Sequence, residues 1–384
     1  MSRTGVARLK KGNQLTNGII LAPNRSIALV LMLIDKVGSL LRRRKQRPSR
    51  IDSILIVFFG SFGDGLMFTS ILESLRKQKP QARIDALVSS DVGAILKGSP
   101  YPSNIIVTEM RSGREYPSKI PGLVTTMRNL GVIYDVALCL RSTIDNGVLP
   151  LFISGISRYN VGFSTGGFSF CLDEVVKWRP GIHETEHFLD VVRTICPQCQ
   201  LGAQELFYDV EATRSSLNEK CMSLGLEKTT EFLVVHPGSK LIRRSLSIQR
   251  WRKILADLVE QTTKIILVTG ISSEKIFYDS IGVSHPRIVP TFGVFNIPEL
   301  SELIKLSSGV VTVETFVSHL AGFAGVPAVA FWTGSTDVRQ WRPVGKNVTV
   351  ASVSPPCSPC FKWCDKPICM DHDTQIVTEI FQAK

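Results

Sequence analysis

Residues 303–343 read LIKLSSGVVTVETFVSHLAGFAGVPAVAFWTGSTDVRQWRP, and the pattern of this stretch sets the fold class. Val310-Val311-Thr312-Val313 is a short β-branched run suited to a buried strand. Glu314-Thr315 ends it. From Phe316 to Ala324 apolar residues return at helical spacing; Gly325 supplies the stop and Pro327 follows, as helix ends prefer. Ala328 to Trp332 is a second buried strand, and Thr333 to Asp337 is the loop after it. Such a strand–helix–strand unit makes the two strands parallel. In open parallel sheets ligands bind beyond the carboxyl ends of the strands. Glu314 and the Gly334 loop both sit at such ends.

Similar units lie on the amino-terminal side. Phe232-Leu233-Val234-Val235-His236 reads as a strand running into the turn Pro237-Gly238-Ser239, and Lys264 to Thr269 as the next strand. Near the start, Ile54 to Phe59 is a buried strand, Gly60-Ser61-Phe62-Gly63-Asp64-Gly65 a tight loop, Leu66 to Lys77 a helix, and Arg83 to Val88 a further strand. The glycine order, with an acid inside, is not that of a dinucleotide-binding turn. Asp135 to Leu140 is another strand and leads into Arg141.

Together these motifs resemble glycosyltransferase family 9, the heptosyltransferases, over about residues 52–370. That family carries, after a strand, Asp-Thr-Gly-x-x-His-Leu-Ala, then Gly-x-Pro, a second strand, a Gly-Pro-Thr-Asp-type loop and a Trp-x-Pro echo. Here Glu314-Thr315-Phe316, His319-Leu320-Ala321, Gly325, Pro327, Gly334-Ser335-Thr336-Asp337 and Trp341-Arg342-Pro343 stand in those places. The chain departs in having Glu314 for the family's Asp and Phe316 for its Gly. His236-Pro237-Gly238-Ser239 is similar to the family's His-Pro-Gly-Ala-Ser, and its diphosphate-binding lysine falls on Arg244. Gly270 to Glu274 is similar to the ribose loop, so Glu274 would accept from ribose hydroxyls. Gly63-Asp64 matches the family's Gly-Asp pair, so Asp64 inherits the catalytic carboxylate. Arg158 to Phe163 is similar to its Arg-x-x-Gly-Phe turn. His183 opens a stretch similar to its His-Glu helix, and either touches the acceptor or caps the packing there.

The resemblance implies an α/β fold of the GT-B arrangement, two Rossmann-like domains with parallel sheets facing a cleft. It implies inverting transfer of a heptose or related sugar from a nucleotide-diphosphate donor such as ADP-heptose to a glycolipid such as lipopolysaccharide core. His236, Gly238, Ser239, Glu274, Glu314, Thr315, Phe316 and His319 would hold the donor. Asp64 and Arg244 would do the chemistry, and Gly63, Arg141 and His183 would face the acceptor. No cofactor is required if cations and helix N-termini hold the leaving diphosphate. The departures at Glu314 and Phe316 keep a non-catalytic sugar-nucleotide or glycan-binding relative open as an alternative, with a nucleotide-sugar epimerase on the same fold beside it.

Bulk properties agree with a globular chain. Its 384 residues exceed what one core supports, so two domains are expected. The polar stretch between Cys196 and Glu231 puts their boundary near residue 205: 51–205 on the acceptor side, 206–384 on the donor side. A net charge of +12 calls for acidic partners. Nucleic acid is not favoured, because no zinc-finger or RNA-binding signature occurs and no basic stripe is interleaved with aromatics. Residues 1–50 read as a disordered basic arm followed by an apolar run, Ile27 to Leu41, too short to span a bilayer and broken by Asp35-Lys36. Arg42-Arg43-Arg44-Lys45 comes directly after it, which suits an interfacial helix on an anionic membrane surface. A helix packed on the protein's own body is the competing reading. The expected location is cytoplasmic, peripheral on the inner face of the cytoplasmic membrane. Of nine cysteines, Cys357, Cys360, Cys364 and Cys369 cluster in the tail. Four thiolates this close fit a structural Zn site or an Fe–S cluster, and equally two local disulfides or free thiols. Cys196 and Cys199, with two residues between them, form a second pair that reads as incidental.

Overall fold

The computed structural model describes residues 35–38, 40–41, 45–110, 116–141, 149–163, 169–353, 355–356, 358–359 and 374–382. The chain divides into two units, Met1–Phe207 and Tyr208–Lys384. In the first, the order is β1 (Ser53–Phe58), α1 (Phe62–Gln78), β2 (Arg83–Ser89), α2 (Ser90–Leu96), β3 (Asn104–Thr108), α3 (Tyr116–Asn129), β4 (Tyr134–Cys139), β5 (Ser157–Phe163), β6 (Glu174–Val176) and α4 (Glu184–Arg193). The second has α5 (Val210–Ser223), β7 (Phe232–His236), α6 (Ile248–Gln261), β8 (Ile265–Gly270), α7 (Lys275–Ile281), β9 (Ile288–Phe292), α8 (Ile297–Leu306), β10 (Gly309–Val313), α9 (Phe316–Ala324), β11 (Ala328–Trp332), α10 (Val338–Trp341), β12 (Val348–Ser352) and α11 (Gln375–Gln382).

The sheets repeat one plan. The first runs β3-β2-β1-β4-β5-β6 and the second β9-β8-β7-β10-β11-β12, and the pairings are parallel throughout. This is the Rossmann order, and in each sheet the strand order reverses between the first and fourth strands. The central strands are covered on both faces, which is why β1, β7, β10 and β11 read as unbroken apolar runs. The core of the first unit gathers Leu55, Val57, Leu87, Tyr134 and Phe152. That of the second gathers Val235, Trp251, Leu255, Val311, Val329 and Phe331.

Local signals explain most boundaries. Gly325 caps α9 in the left-handed region at φ 71°, where a side chain would be strained. Two expectations are corrected. The Gly60–Gly65 stretch is not all loop, because α1 begins at Phe62 with Ser61 as N-cap. Ser61 N–H donates to Asp64 Oδ2 at 2.7 Å, half of a capping box, and this lets the helix start four residues before Leu66. Arg158–Phe163 is not a turn but most of β5. Gly162 there serves close approach: a Cβ on it would lie 3.0 Å from Cys139 Cβ on β4.

The described residues between 35 and 41 are helical. Asp35, the break in the apolar run, is buried and accepts from the Ser169 hydroxyl at 2.9 Å. Gly38 sits against the Phe170 ring, while Leu40 and Leu41 are 80% and 79% exposed. One side of this segment thus packs on the first unit. The remainder of the apolar run, the basic arm before it, Arg42 to Arg44 and the four tail cysteines lie outside the described residues. Among the described residues no helix is long and apolar enough to cross a membrane.

Candidate functional site

In the second unit the strand order reverses between β7 and β10. There His236 stands opposite Thr312 across the ladder, and the Thr312 hydroxyl donates to His236 O at 3.3 Å. The His236 ring is buried, with Nδ1 3.1 Å from Thr269 Oγ1 at the end of β8. Burial pushes its pKa down to about 4, so the ring is neutral at pH 7. Its Nε2 lies 4.0 Å from Glu274 Oε2, a contact that carries no ion pair while the imidazole is neutral. Glu274 is itself shifted up by burial, against a 3.0 Å hydrogen bond from Ile271 N–H. Two glycines make room for that carboxylate. A Cβ on Gly238 would lie 2.5 Å from Glu274 Cδ, and one on Gly270 would lie 2.9 Å from Glu274 Oε2.

The turn after β7 is fixed from beneath. Trp251, buried on α6, donates Nε1–H to Ser245 Oγ at 3.1 Å, and that hydroxyl donates to Pro237 O at 2.7 Å. Ser247 caps α6 by accepting from Arg250 N–H. Leu246 between them is fully buried. With both ends of the turn held, the short 3-10 segment Ile242–Arg244 carries Arg244 to Glu314, whose carboxylate follows β10. Arg244 Nε lies 3.0 Å from Glu314 Oε1, but off the line of a good hydrogen bond, so the contact is an ion pair. Glu314 Oε2 accepts from the Ser335 hydroxyl at 2.9 Å, and Ser239 Oγ donates to Glu314 O at 3.4 Å. Glu314 is 4% exposed. Burial shifts its carboxyl up, opposed by Arg244, Ser335, Thr336 and Arg243. Arg243 Nε is buried and has no hydrogen-bond partner among the described residues. Thr315 is the N-cap of α9, Phe316 is half-buried in its first turn, and His319 is buried one turn on.

The first unit has its own reversal between β1 and β4. Asp64 lies in the first turn of α1, behind β1, with Gly63 buried before it. Gly60, at the end of the strand, faces Asp64 so closely that a Cβ on it would lie 2.6 Å from Asp64 Cβ. Arg141, just past β4, donates Nη1–H to Phe59 O, while its Nε is buried without a hydrogen-bond partner among the described residues. His183 is the N-cap of α4, accepting from Thr185 N–H at 3.3 Å.

Thus His236, Gly238 and Glu274 form one cluster, Ser239, Arg244 and Glu314 a second, and the turn 236–239 joins them. Thr269 and Arg243 are site neighbours that the sequence does not single out, and Ser335 and Thr336 enter it only as part of the Gly334 loop. Ser335 and Thr336 stood in the quoted loop, and their hydroxyls beside a strand-end carboxylate were the signal. Thr269 had none, because only strand pairing brings it to His236. Among the described residues no group of three or more His, Cys, Asp or Glu is placed to hold a metal.

The family model of glycosyltransferase family 9 (heptosyltransferase) matches residues 125–368. Lipopolysaccharide heptosyltransferase 3 of Escherichia coli K12 is 22% identical over 300 residues, covering 74% of this chain and 83% of that protein. A family 9 glycosyltransferase structure from Veillonella parvula superposes with a TM-score of 0.69 at 15% identity, covering 89% of this chain and 99% of that one. The structure of E. coli ADP-heptose lps heptosyltransferase II gives a TM-score of 0.66 at 15% identity, covering 86% and 98%.

Proposed function

The chain belongs to glycosyltransferase family 9, the heptosyltransferases, and on that premise we propose that it moves a heptose or related sugar, with inversion, from a nucleotide-diphosphate donor to a lipopolysaccharide-core or similar glycolipid acceptor. The observation that carries this is the Arg244–Glu314–Ser335 cluster beside His236 and Glu274, at the strand-order reversal of the second sheet. A relative is named for lipopolysaccharide and a structural neighbour for ADP-heptose, which supports an ADP-heptose-like donor and a glycolipid acceptor.

In this reading the donor diphosphate lies against the guanidinium of Arg244 and the N-terminus of α9, which begins at Thr315-Phe316. Arg244 neutralises charge as it develops on the leaving group, so no metal is asked to do so. Glu274, turned toward the Gly238 turn, accepts from ribose hydroxyls. His236, neutral at pH 7, adds no charge and keeps the turn seated. On the acceptor side Asp64 takes the hydroxyl proton as the acceptor oxygen bonds to the sugar carbon. The bond from that carbon to the diphosphate breaks on the opposite face, and the nucleoside diphosphate leaves. Phe316 adds bulk where the family has glycine, and Glu314 reaches one methylene further than Asp. An altered donor preference is therefore expected, with a Phe316→Gly, Glu314→Asp double change moving it toward ADP-heptose. Tight ADP-heptose binding by the unmodified chain in calorimetry would remove that point.

The reaction is tested by incubating the purified chain with radiolabelled ADP-heptose, and in parallel with other labelled sugar nucleotides, beside heptose-deficient lipopolysaccharide. The expected result is acceptor-dependent label transfer with release of the nucleoside diphosphate and inverted anomeric configuration by NMR. Epimerisation of the donor without acceptor, or binding without turnover, overturns it.

A further inference from the structure

Cys196-Pro197-Gln198-Cys199 follows the last turn of α4, and nothing in sugar transfer uses it. Cys196 is 2% exposed and Cys199 0%, whereas Pro197 and Gln198 between them are exposed. Cys199 N–H donates to Cys196 O at 3.1 Å, closing a tight turn that directs both sulfurs at each other. Cys199 Sγ–H donates to Cys196 Sγ at 2.7 Å. Burial, with the contact to Cys196 adding to it, pushes the Cys199 thiol up to about 12, against Ser74 and Arg193. The residues beyond are tied to α1. Gln200 N–H donates to Ser74 Oγ at 2.9 Å, Gly202 N–H to Ser70 O at 2.7 Å, and Glu205 N–H to Thr69 Oγ1 at 2.8 Å. Residues 200–205 thus form a strap along α1, rooted at the cysteine turn. Arg193 Nε donates to Cys199 O at 3.0 Å and ties that root to α4.

We propose that Cys196 and Cys199 are a reversible dithiol–disulfide pair, oxidised by a peroxide and reduced by a small thiol. Peroxide reaches the pair through the exposed Pro197-Gln198 rim. Cys196, next to the exposed Pro197 and accepting from Cys199 Sγ–H, attacks one peroxide oxygen through its sulfur and gives up its proton. An S–O bond forms, the O–O bond breaks, and the departing oxygen takes up a proton to leave as water. Cys199 Sγ then attacks the sulfenic sulfur, loses its proton and displaces the second oxygen as water. Two thiols lose two electrons and two hydrogens, and hydrogen peroxide becomes two waters. Reduction runs by thiol–disulfide exchange, in which two small thiols become their disulfide. A ring with only two residues between the cysteines removes little chain entropy, so the bond adds little global stability and acts locally on the root of the strap.

Trypsin isolates the pair. Cleavage after Arg193 and after Arg214 puts Cys196 and Cys199 in one peptide, residues 194–214, apart from every other cysteine. The full-length chain is treated with hydrogen peroxide, denatured, alkylated, digested and weighed, with untreated and thiol-rescued samples alongside. The untreated peptide is expected to carry two alkyl groups, the oxidised one none with two hydrogens missing, and the rescued one two again. Cys199→Ser is expected to stop at a Cys196 sulfenic acid that dimedone captures. A doubly alkylated peptide after peroxide, irreversible sulfinic acids, or a cross-link to another cysteine overturns the pair.

Discussion

Asp64 illustrates how one side chain can serve structure and chemistry at once. Its carboxylate accepts from Ser61 N–H, so it stabilises the start of α1 in any case. Asn accepts the same bond but is not a base. We predict that Asp64→Asn keeps the fold and the donor affinity while turnover falls by about 10²–10⁴-fold, the scale of a lost general base. Stopped-time assays beside calorimetry decide it, and unchanged turnover would leave Asp64 a cap only. Arg244→Ala, by contrast, is expected to weaken donor binding and turnover together. His236 makes a pH prediction. Its folded pKa is near 4, below the ordinary value, so the folded state resists a proton that the unfolded chain accepts. The stability it contributes is complete above about pH 6.5 and is lost as pH falls toward 4, by up to about 3 kcal/mol. Urea titrations from pH 7.5 to 4.5 should show this loss in the unmodified chain and not in His236→Gln; parallel curves would reject it.

Helix α5 shows what periodicity misses at the scale of an element. Only Leu217 of its residues is buried, so no apolar stripe announced it between Cys196 and Glu231. It is held on α8 by charge instead. Glu302, 1% exposed, accepts from the Tyr208 hydroxyl at 2.6 Å and from Arg214 Nε and Lys305 Nζ, each at 2.7 Å. Glu299, also buried, accepts from Lys220 Nζ at 2.6 Å and the Ser216 hydroxyl at 2.7 Å. Burial alone would raise the Glu302 pKa, but the bonds from Lys305, Tyr208 and Arg214 outweigh it and hold it at about 2. Its stabilisation is therefore complete above about pH 4.3 and lost as pH falls toward 2, a window below that of His236. Glu302→Gln is expected to cost about 2–4 kcal/mol at pH 7, because three donors lose a charged acceptor. The deficit should shrink by pH 3, measured by urea midpoints. An equal deficit at both pH values would mean that shape rather than charge holds the two helices.

At the scale of the molecule, a net charge of +12 and the segment ending in Leu40 and Leu41 bear on where the protein works. Asp35 and Gly38 dock that segment on the first unit and leave the two leucines outward, next in sequence to Arg42-Arg43-Arg44. We predict that the chain sediments with anionic vesicles, that salt weakens the association, and that deleting residues 1–47 abolishes it. Undiminished sedimentation after deletion would discard the idea. Signals in the sequence are enough for the two parallel α/β halves, the span of α9, and the strand-end positions of His236 and Glu314. These depend on signals local to a few residues: β-branched runs, a helix stop at Gly325 and the Gly turn after His236. That Arg158–Phe163 is a strand follows from packing, since Gly162 looks like a turn glycine until Cys139 on the neighbouring strand is seen against it. Packing alone brings Thr269 to His236 and sets Arg214 and Lys220 of α5 against the buried Glu302 and Glu299 of α8. Those contacts join residues far apart along the chain, and no local pattern encodes which strand or helix becomes the neighbour.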